Sequence, residues 1–245
     1  MSGYISLLRR HPDFARLWLA SVISLMGDWF NFIALSALVS RYSDGSGLAV
    51  SGLLLARYLP PLFISPVAGV LADRLNRKAL LVFSDLARAV IVLLLLTANT
   101  PDLLWLIYLL TVLQACMSAM FEPARGAILP ALVGQEDILK ANTLNNVTWS
   151  AMLAVGALLG GVITTLLGTA AVLVIDSLTF LLSALFILGI RTNTKAVKPA
   201  ASAAAEAKSS GSFMDGLRYV RSNPVAAAAL FIKFGLSLGS VDTLM

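Results

Sequence analysis

Apolar residues in this chain come in long unbroken runs, not in alternation. Seven runs stand out, at about 17–39, 49–71, 79–98, 103–120, 147–167, 169–190 and 225–245. Most hold 18 or more residues with few charges, the length an α-helix needs to cross a hydrocarbon core of ~30 Å. Strands of a membrane barrel would alternate over ~10 residues. These runs do not alternate, and Leu and Ala carry them. The pattern predicts an all-α membrane protein. The first run is too long for the apolar core of a signal peptide, and Ser40, Arg41 and Tyr42 after it offer no small-residue cleavage site. It reads as an uncleaved first span.

The polar positions divide the chain. The one long polar stretch, 191–212, is rich in Ala, Lys and Ser around Pro199. The expected organisation is a six-helix bundle over 1–190, a cytoplasmic linker over 191–224 and a seventh helix over 225–245, cut short. Such a linker marks a repeat boundary in many transporters.

Composition agrees with the runs. Of the 245 residues, 58% are hydrophobic and 13% charged, where soluble domains carry about 25% charged residues. The single cysteine, Cys116, excludes an internal disulfide, and the single histidine, His11, excludes His-rich metal sites and Ser/Cys–His catalysis. No G-x-x-x-x-G-K-[ST] loop is present, so ATP is not expected as the direct energy source. We therefore expect no enzyme activity, no cofactor and no metal.

Charge placement then sets orientation. With the N-terminus inside, the inner segments hold fourteen of the eighteen Lys and Arg, and the outer loops only Arg41. The net charge of +5 is thus a positive-inside device facing the cytoplasm and its anionic lipid, not a nucleic-acid surface.

The segment Gly69-Val70-Leu71-Ala72-Asp73-Arg74-Leu75-Asn76-Arg77-Lys78 lies between the second and third runs. It resembles the G-x-x-x-D-R-x-G-R-R/K loop of the major facilitator superfamily, matching at Gly69, Asp73, Arg74, Arg77 and Lys78. Asn76 stands where that family has glycine, and Asn tolerates the left-handed backbone of a tight turn. On this reading Gly69 lets two helices approach closely, and Asp73 faces a helix N-terminus. The resemblance implies that Asp73 latches two halves together, with Arg74, Arg77 and Lys78 pairing to acids on neighbouring helices. Glu122 and Arg125, at the inner end of the fourth span, complete that inner charge network.

Gly27-Asp28-Trp29, Phe121-Glu122-Pro123-Ala124-Arg125 and Leu129-Pro130 are similar to the bacterial exporter branch of the superfamily, which includes the enterobactin exporter and macrolide efflux proteins. Gly156-Ala157-Leu158-Leu159-Gly160-Gly161 resembles the antiporter motif G-P-x-x-G-G, with Ala157 in place of proline. Gly156 and Gly160 equally form a G-x-x-x-G helix-packing pair. The resemblance implies two inverted three-helix repeats over the first six spans and a chain of roughly twice this architecture. On that basis the 245 residues read as an incomplete transporter that needs a C-terminal half.

Ionisable groups inside spans are costly and tend to be functional. At 1.5 Å per residue, Asp28 lies ~16 Å into the first span and Arg57 ~14 Å into the second. Matching depth on consecutive helices suggests an Asp28–Arg57 pair, either a proton-coupling switch or a static clamp. Asn31 shares the face of Asp28, and Gln114 and Ser118 are i,i+4 neighbours on the fourth span, placed to bond a substrate or to join helices. Asp85 and Arg88 form a local i,i+3 pair expected to be structural. Asp176 has no partner evident in sequence. Pro60, Pro61 and Pro66 supply a kink in the second span.

The expected function is secondary active export of a drug-like or siderophore-like small molecule, coupled to protons, in the bacterial inner membrane. Lipid or lysolipid movement by the same fold and a non-transporting membrane scaffold are the alternatives.

Overall fold

The computed structural model describes residues 2–192 and Ser222. The expected seventh span at 225–245 lies outside the described residues, as does most of the expected linker. Among the described residues there are helices and no strand: α1 (Ser2–Arg10), α2 (Pro12–Tyr42), α3 (Gly47–Arg74), α4 (Arg77–Leu95) and α5 (Leu104–Leu188), with a 3₁₀ turn at Pro101–Leu103. Four long helices and the short α1 stand where six spans are expected, because α5 continues through three of the apolar runs.

Local sequence explains the boundaries. Pro12 opens α2 at a position where a backbone N–H would be unpartnered anyway. Asp44 and Gly45, both at positive φ, turn the chain before Ser46 caps α3. Asn76 caps α4: its side chain accepts from the N–H groups of Lys78 and Ala79 at 3.1 and 3.3 Å. Its φ of −67° corrects the left-handed turn expected there. Capping satisfies two orphan helix donors, a role for which asparagine suits better than glycine.

Within α5 the breaks are single residues. Gly134 (φ 69°, ψ 173°) and Gly168 (φ 79°, ψ 165°) occupy backbone space open essentially to glycine alone. Segments 104–133, 135–167 and 169–188 follow one another with no loop between them. The stretch 121–146, read from sequence as an inner connection, is helical on both sides of Gly134, with Pro123 and Pro130 inside. Direction alternates. Asp137 meets His11, Thr148 meets Trp18 and Gly156 meets Trp29, so 135–167 runs alongside α2 in the same sense. Asn31 meets Asp176 and Arg16 meets Gly189, so 169–188 runs against α2.

Among the described residues, three helices are long and apolar enough to cross a membrane: Pro12–Tyr42, Gly47–Arg74 and the span Pro101–Leu188. In α4 the charges turn inward, Asp85 at 0% and Arg88 at 3% exposure. Two large apolar clusters, with a small third of Phe30, Ala34 and Val172, hold the bundle among the described residues. One gathers Phe14, Leu17, Leu81, Phe121, Ile128 and Ile187. The other gathers Leu35, Val39, Val92, Ile107, Leu173 and Phe180. Between them, α2, α4 and α5 carry a buried polar layer of Ser24, Asn31, Asp85, Arg88, Gln114 and Asp176.

At the first cluster's end the basic residues meet. Asp137 takes Lys140 at 2.7 Å, His11 at 3.2 Å and Arg10 at 3.5 Å. α3 is the outlier. Only 11% of its most apolar stretch is buried, against 50% for α2, and Leu55, Leu62, Phe63 and Val67 are exposed. Gly69, expected at a close helix approach, faces open space: a Cβ there would meet nothing within 4 Å among the described residues.

Candidate functional site

The polar layer opens into a cavity of about 280 Å³ whose wall includes Asp28, Arg57, Arg88, Gln114, Glu122 and Arg125. The centre of the layer is Arg88. Its guanidinium donates from Nη2 to Asp85 Oδ1, one turn back on α4, and Nη1 lies 3.5 Å from Asp28 Oδ2 on α2. The rings of Phe180 and Phe121 flank it at 4.3 and 4.8 Å. Ser183 donates to the second oxygen of Asp85 at 2.6 Å. A buried charge in a membrane span must be matched in this way, because leaving it alone costs several kcal/mol.

Asp28 is therefore held by Arg88, and this corrects the expected pairing with Arg57. Depth alone allowed both arginines. The choice follows from packing, since α4 lies against α5 in the core whereas α3 lies at the edge. Gln114 donates to Asp28 Oδ1 at 3.2 Å and accepts from Asn31 Nδ2 at 3.4 Å. Asn31 Nδ2 donates to Asp176 Oδ2 at 2.6 Å, which supplies the partner that sequence did not reveal. A continuous chain of polar contacts thus links Ser183, Asp85, Arg88, Asp28, Gln114, Asn31 and Asp176 across three helices. Buried Asn31 Oδ1, Arg88 Nε and Thr111 Oγ1 have no hydrogen-bond partner among the described residues.

Arg57 lies elsewhere on the wall. Its guanidinium sits over the rings of Phe32 and Trp29 at 5.2 and 5.7 Å. Ser118 lines the same cavity.

The inner-loop residues separate into two groups. Arg77 donates to the carbonyls of Ala127 at 2.8 Å and Ala72 at 3.4 Å. Lys78 Nζ donates to Leu188 and Ile190 carbonyls at 2.8 and 2.7 Å, so both cations bond backbone carbonyls and not the expected acids. Asp73 and Arg74 are exposed and make no hydrogen bond or ion pair among the described residues. Glu122 and Arg125 pair with each other at 2.7 Å instead of joining that loop.

The glycines of segment 135–167 also divide. A Cβ on Gly156 would lie 2.7 Å from Trp29 Cβ, and one on Gly160 3.0 Å from Phe30 Cα. Both let α2 approach closely, which is the G-x-x-x-G packing reading. Gly161 faces open space among the described residues. Gly27 closes the opposite contact, where a side chain would run into Thr179 and Asp176.

Sequence reasoning missed Arg88 as a cavity residue. Its depth was legible: at 1.5 Å per residue it lies ~16 Å into α4, level with Asp28.

Apolar helices of spanning length that enclose a charged layer, part of which faces a cavity, define an integral membrane protein. Residues 4–245 match the family model described as transmembrane secretion effector (MFS_3). The chain belongs to this family of major facilitator transporters. It is 27% identical over 98% of its length to the MFS-type transporter YfiS of Bacillus subtilis, covering 57% of that protein. It is 30% identical over 93% of its length to the protein named bacilysin exporter BacE of Bacillus amyloliquefaciens, covering 56% of it. Macrolide efflux protein A of Streptococcus pyogenes is 26% identical over 60% of this chain and 37% of its own. The chain spans little more than half the length of the first two. No solved structure matches it at comparable significance.

Proposed function

We propose that this chain forms the first half of a proton-coupled exporter of small amphipathic molecules, set in the bacterial inner membrane with its N-terminus in the cytoplasm. Support for the orientation comes from the basic residues gathered at one end of the bundle, where α1, the α3–α4 turn and Arg191 meet. Support for a two-half architecture comes from the exposed apolar face of α3 and from Asp73 and Arg74, which stand without partners among the described residues. In this reading α2 to α5 make six spans, α5 contributing three as one inverted repeat opposite α2, α3 and α4.

One observation carries the coupling: Asp28, on the cavity wall, is held by Arg88 and Gln114. A ligand whose hydroxyl or amide N–H donates to Asp28 needs its carboxylate as acceptor, and a proton on Asp28 takes that acceptor away. Substrate and proton thus compete for one group, which is the requirement for exchange.

The test is accumulation of radiolabelled norfloxacin, a drug-like amphipathic zwitterion, in cells expressing the gene as it is encoded. Wild-type protein should lower accumulation, and a protonophore or Asp28→Asn should each restore it. Protonophore-sensitive efflux that survives Asp28→Asn unchanged would remove the coupling role.

A further inference from the structure

Among the described residues three guanidinium groups face the cavity, and two of them are spoken for. Arg88 is held between Asp85 and Asp28, and Arg125 is paired with Glu122 at 2.7 Å. Arg57 has no carboxylate within ion-pair distance and no hydrogen-bond acceptor among the described residues. Its position is fixed by the faces of Trp29 and Phe32. Ring faces attract a cation but are only weak acceptors for its N–H groups, so the planar donor fork of Arg57 has no oxygen acceptor among the described residues.

An uncommitted arginine in a membrane span is costly, and the cavity gives it a use. The acids on the wall, Asp28 and Glu122, are already engaged, so a cationic ligand would find no free counter-charge there. An anionic ligand would find one. Around Arg57 the wall is aromatic or apolar: Tyr58, Pro61 and Trp149 also line the cavity, and the rings of Trp29 and Trp149 meet edge to face at 6.4 Å.

We infer that Arg57 is the receptor for an anionic oxygen group, a carboxylate, on an amphipathic ligand whose apolar body packs on Tyr58, Pro61 and Trp149. The fork binds the two oxygens in the bidentate manner that arginine favours. The aromatic wall then supplies area that a free small anion lacks. This rests on the cavity being the ligand site of the proposed exporter, and it narrows the substrate to acids or zwitterions with an accessible carboxylate.

Binding to the purified full chain in lipid nanodiscs tests it, read by scintillation proximity with tritiated 1-naphthaleneacetate. The neutral 1-naphthaleneacetamide and free acetate serve as competitors, and the nanodiscs contain only zwitterionic lipid. Wild-type protein should prefer the carboxylate over the amide by about tenfold or more, with acetate competing weakly. Arg57→Gln should abolish the preference and Arg57→Lys retain part of it. Addition of anionic lipid should leave the affinity unchanged, whereas competition by it would assign Arg57 to lipid headgroups and overturn the proposal. Equal affinity for acid and amide in the wild type would overturn it without reference to any variant. So would a preference that survives Arg57→Gln, as when an acid elsewhere in the chain neutralises this arginine. Because the assay reads binding alone, loss of efflux with the preference intact refutes export and spares this site, and the reverse result refutes this site and spares export.

Discussion

Arg88 of α4 reaches across the bundle to Asp28 of α2, its Nη1 3.5 Å from Asp28 Oδ2, while the same guanidinium binds Asp85 on its own helix. One cation thus serves two acids, one wholly buried and one on the cavity wall. Removing Arg88 would leave Asp85 as an uncompensated charge at 0% exposure. Arg88→Met should destabilise the protein by about 3–5 kcal/mol, lowering the melting temperature in detergent by about 10 °C. The double variant Asp85→Leu/Arg88→Met should recover most of the loss, because the buried pair is then replaced by apolar volume. A double variant as unstable as Arg88→Met alone would show that Arg88 stabilises through something other than Asp85.

Gly156 and Gly160 should be intolerant of side chains and Gly161 tolerant. A Cβ on the first two meets Trp29 and the Phe30 backbone at 2.7 and 3.0 Å, and overpacking of that kind costs about 1–3 kcal/mol. Gly156→Val and Gly160→Val should each lower the melting temperature by several degrees, while Gly161→Val leaves it nearly unchanged. Equal effects at all three positions would contradict the packing role assigned to the pair.

These two cases show what the sequence could and could not reveal. Apolar runs located α2, α3, α4 and the apolar parts of α5, though not α1 or the helix over 121–146, because spanning length is imposed by the membrane and not by the partner helices. The glycine pair was legible as a packing motif, since i,i+4 spacing alone puts both residues on one face. Partner choice across helices was not legible. Asp28 was matched to Arg57 by depth on consecutive helices, but Arg57 belongs to the peripheral α3 and Arg88 to the core. Nothing in the order of residues tells which helix faces inward when all are apolar. The same blindness hid the Asn31–Asp176 contact, whose residues are 145 positions apart. Asn76 failed differently: the motif position was right, but the residue caps a helix where a left-handed turn was expected.

Asp13 ties the start of α2 to the chain after α5. Its carboxylate accepts from the Thr192 hydroxyl at 2.7 Å, from Thr192 N–H at 2.8 Å and from Arg191 N–H at 3.1 Å, and it also pairs with Arg16. Asp13→Ala removes every one of these acceptors. Tryptic cleavage after the exposed Arg191 should then accelerate by about tenfold, since opening of that segment would no longer break hydrogen bonds to a charged group. An unchanged initial cleavage rate, followed by mass spectrometry of the 191 cut, would mean that the contact contributes nothing to holding the segment.

Asp73 offers the sharpest separation between folding and function. It is exposed on the last turn of α3 and makes no hydrogen bond or ion pair among the described residues, so within this bundle its charge contributes little. Asp73→Asn should shift stability by no more than about 0.5 kcal/mol, the usual range for an exposed position without partners. The proposed latch demands the opposite of transport: if Asp73 holds two halves together in one state of the cycle, efflux by the complete transporter should fall steeply while expression and melting temperature stay at wild-type values. Arg77→Gln supplies the contrast. Its side chain ties Ala72 and Ala127 carbonyls together at 3.4 and 2.8 Å, so its loss should lower the melting temperature along with any transport. Efflux and thermal melts of the two variants side by side therefore decide the matter. Full efflux in Asp73→Asn would leave this loop with orientation and helix capping as its only roles.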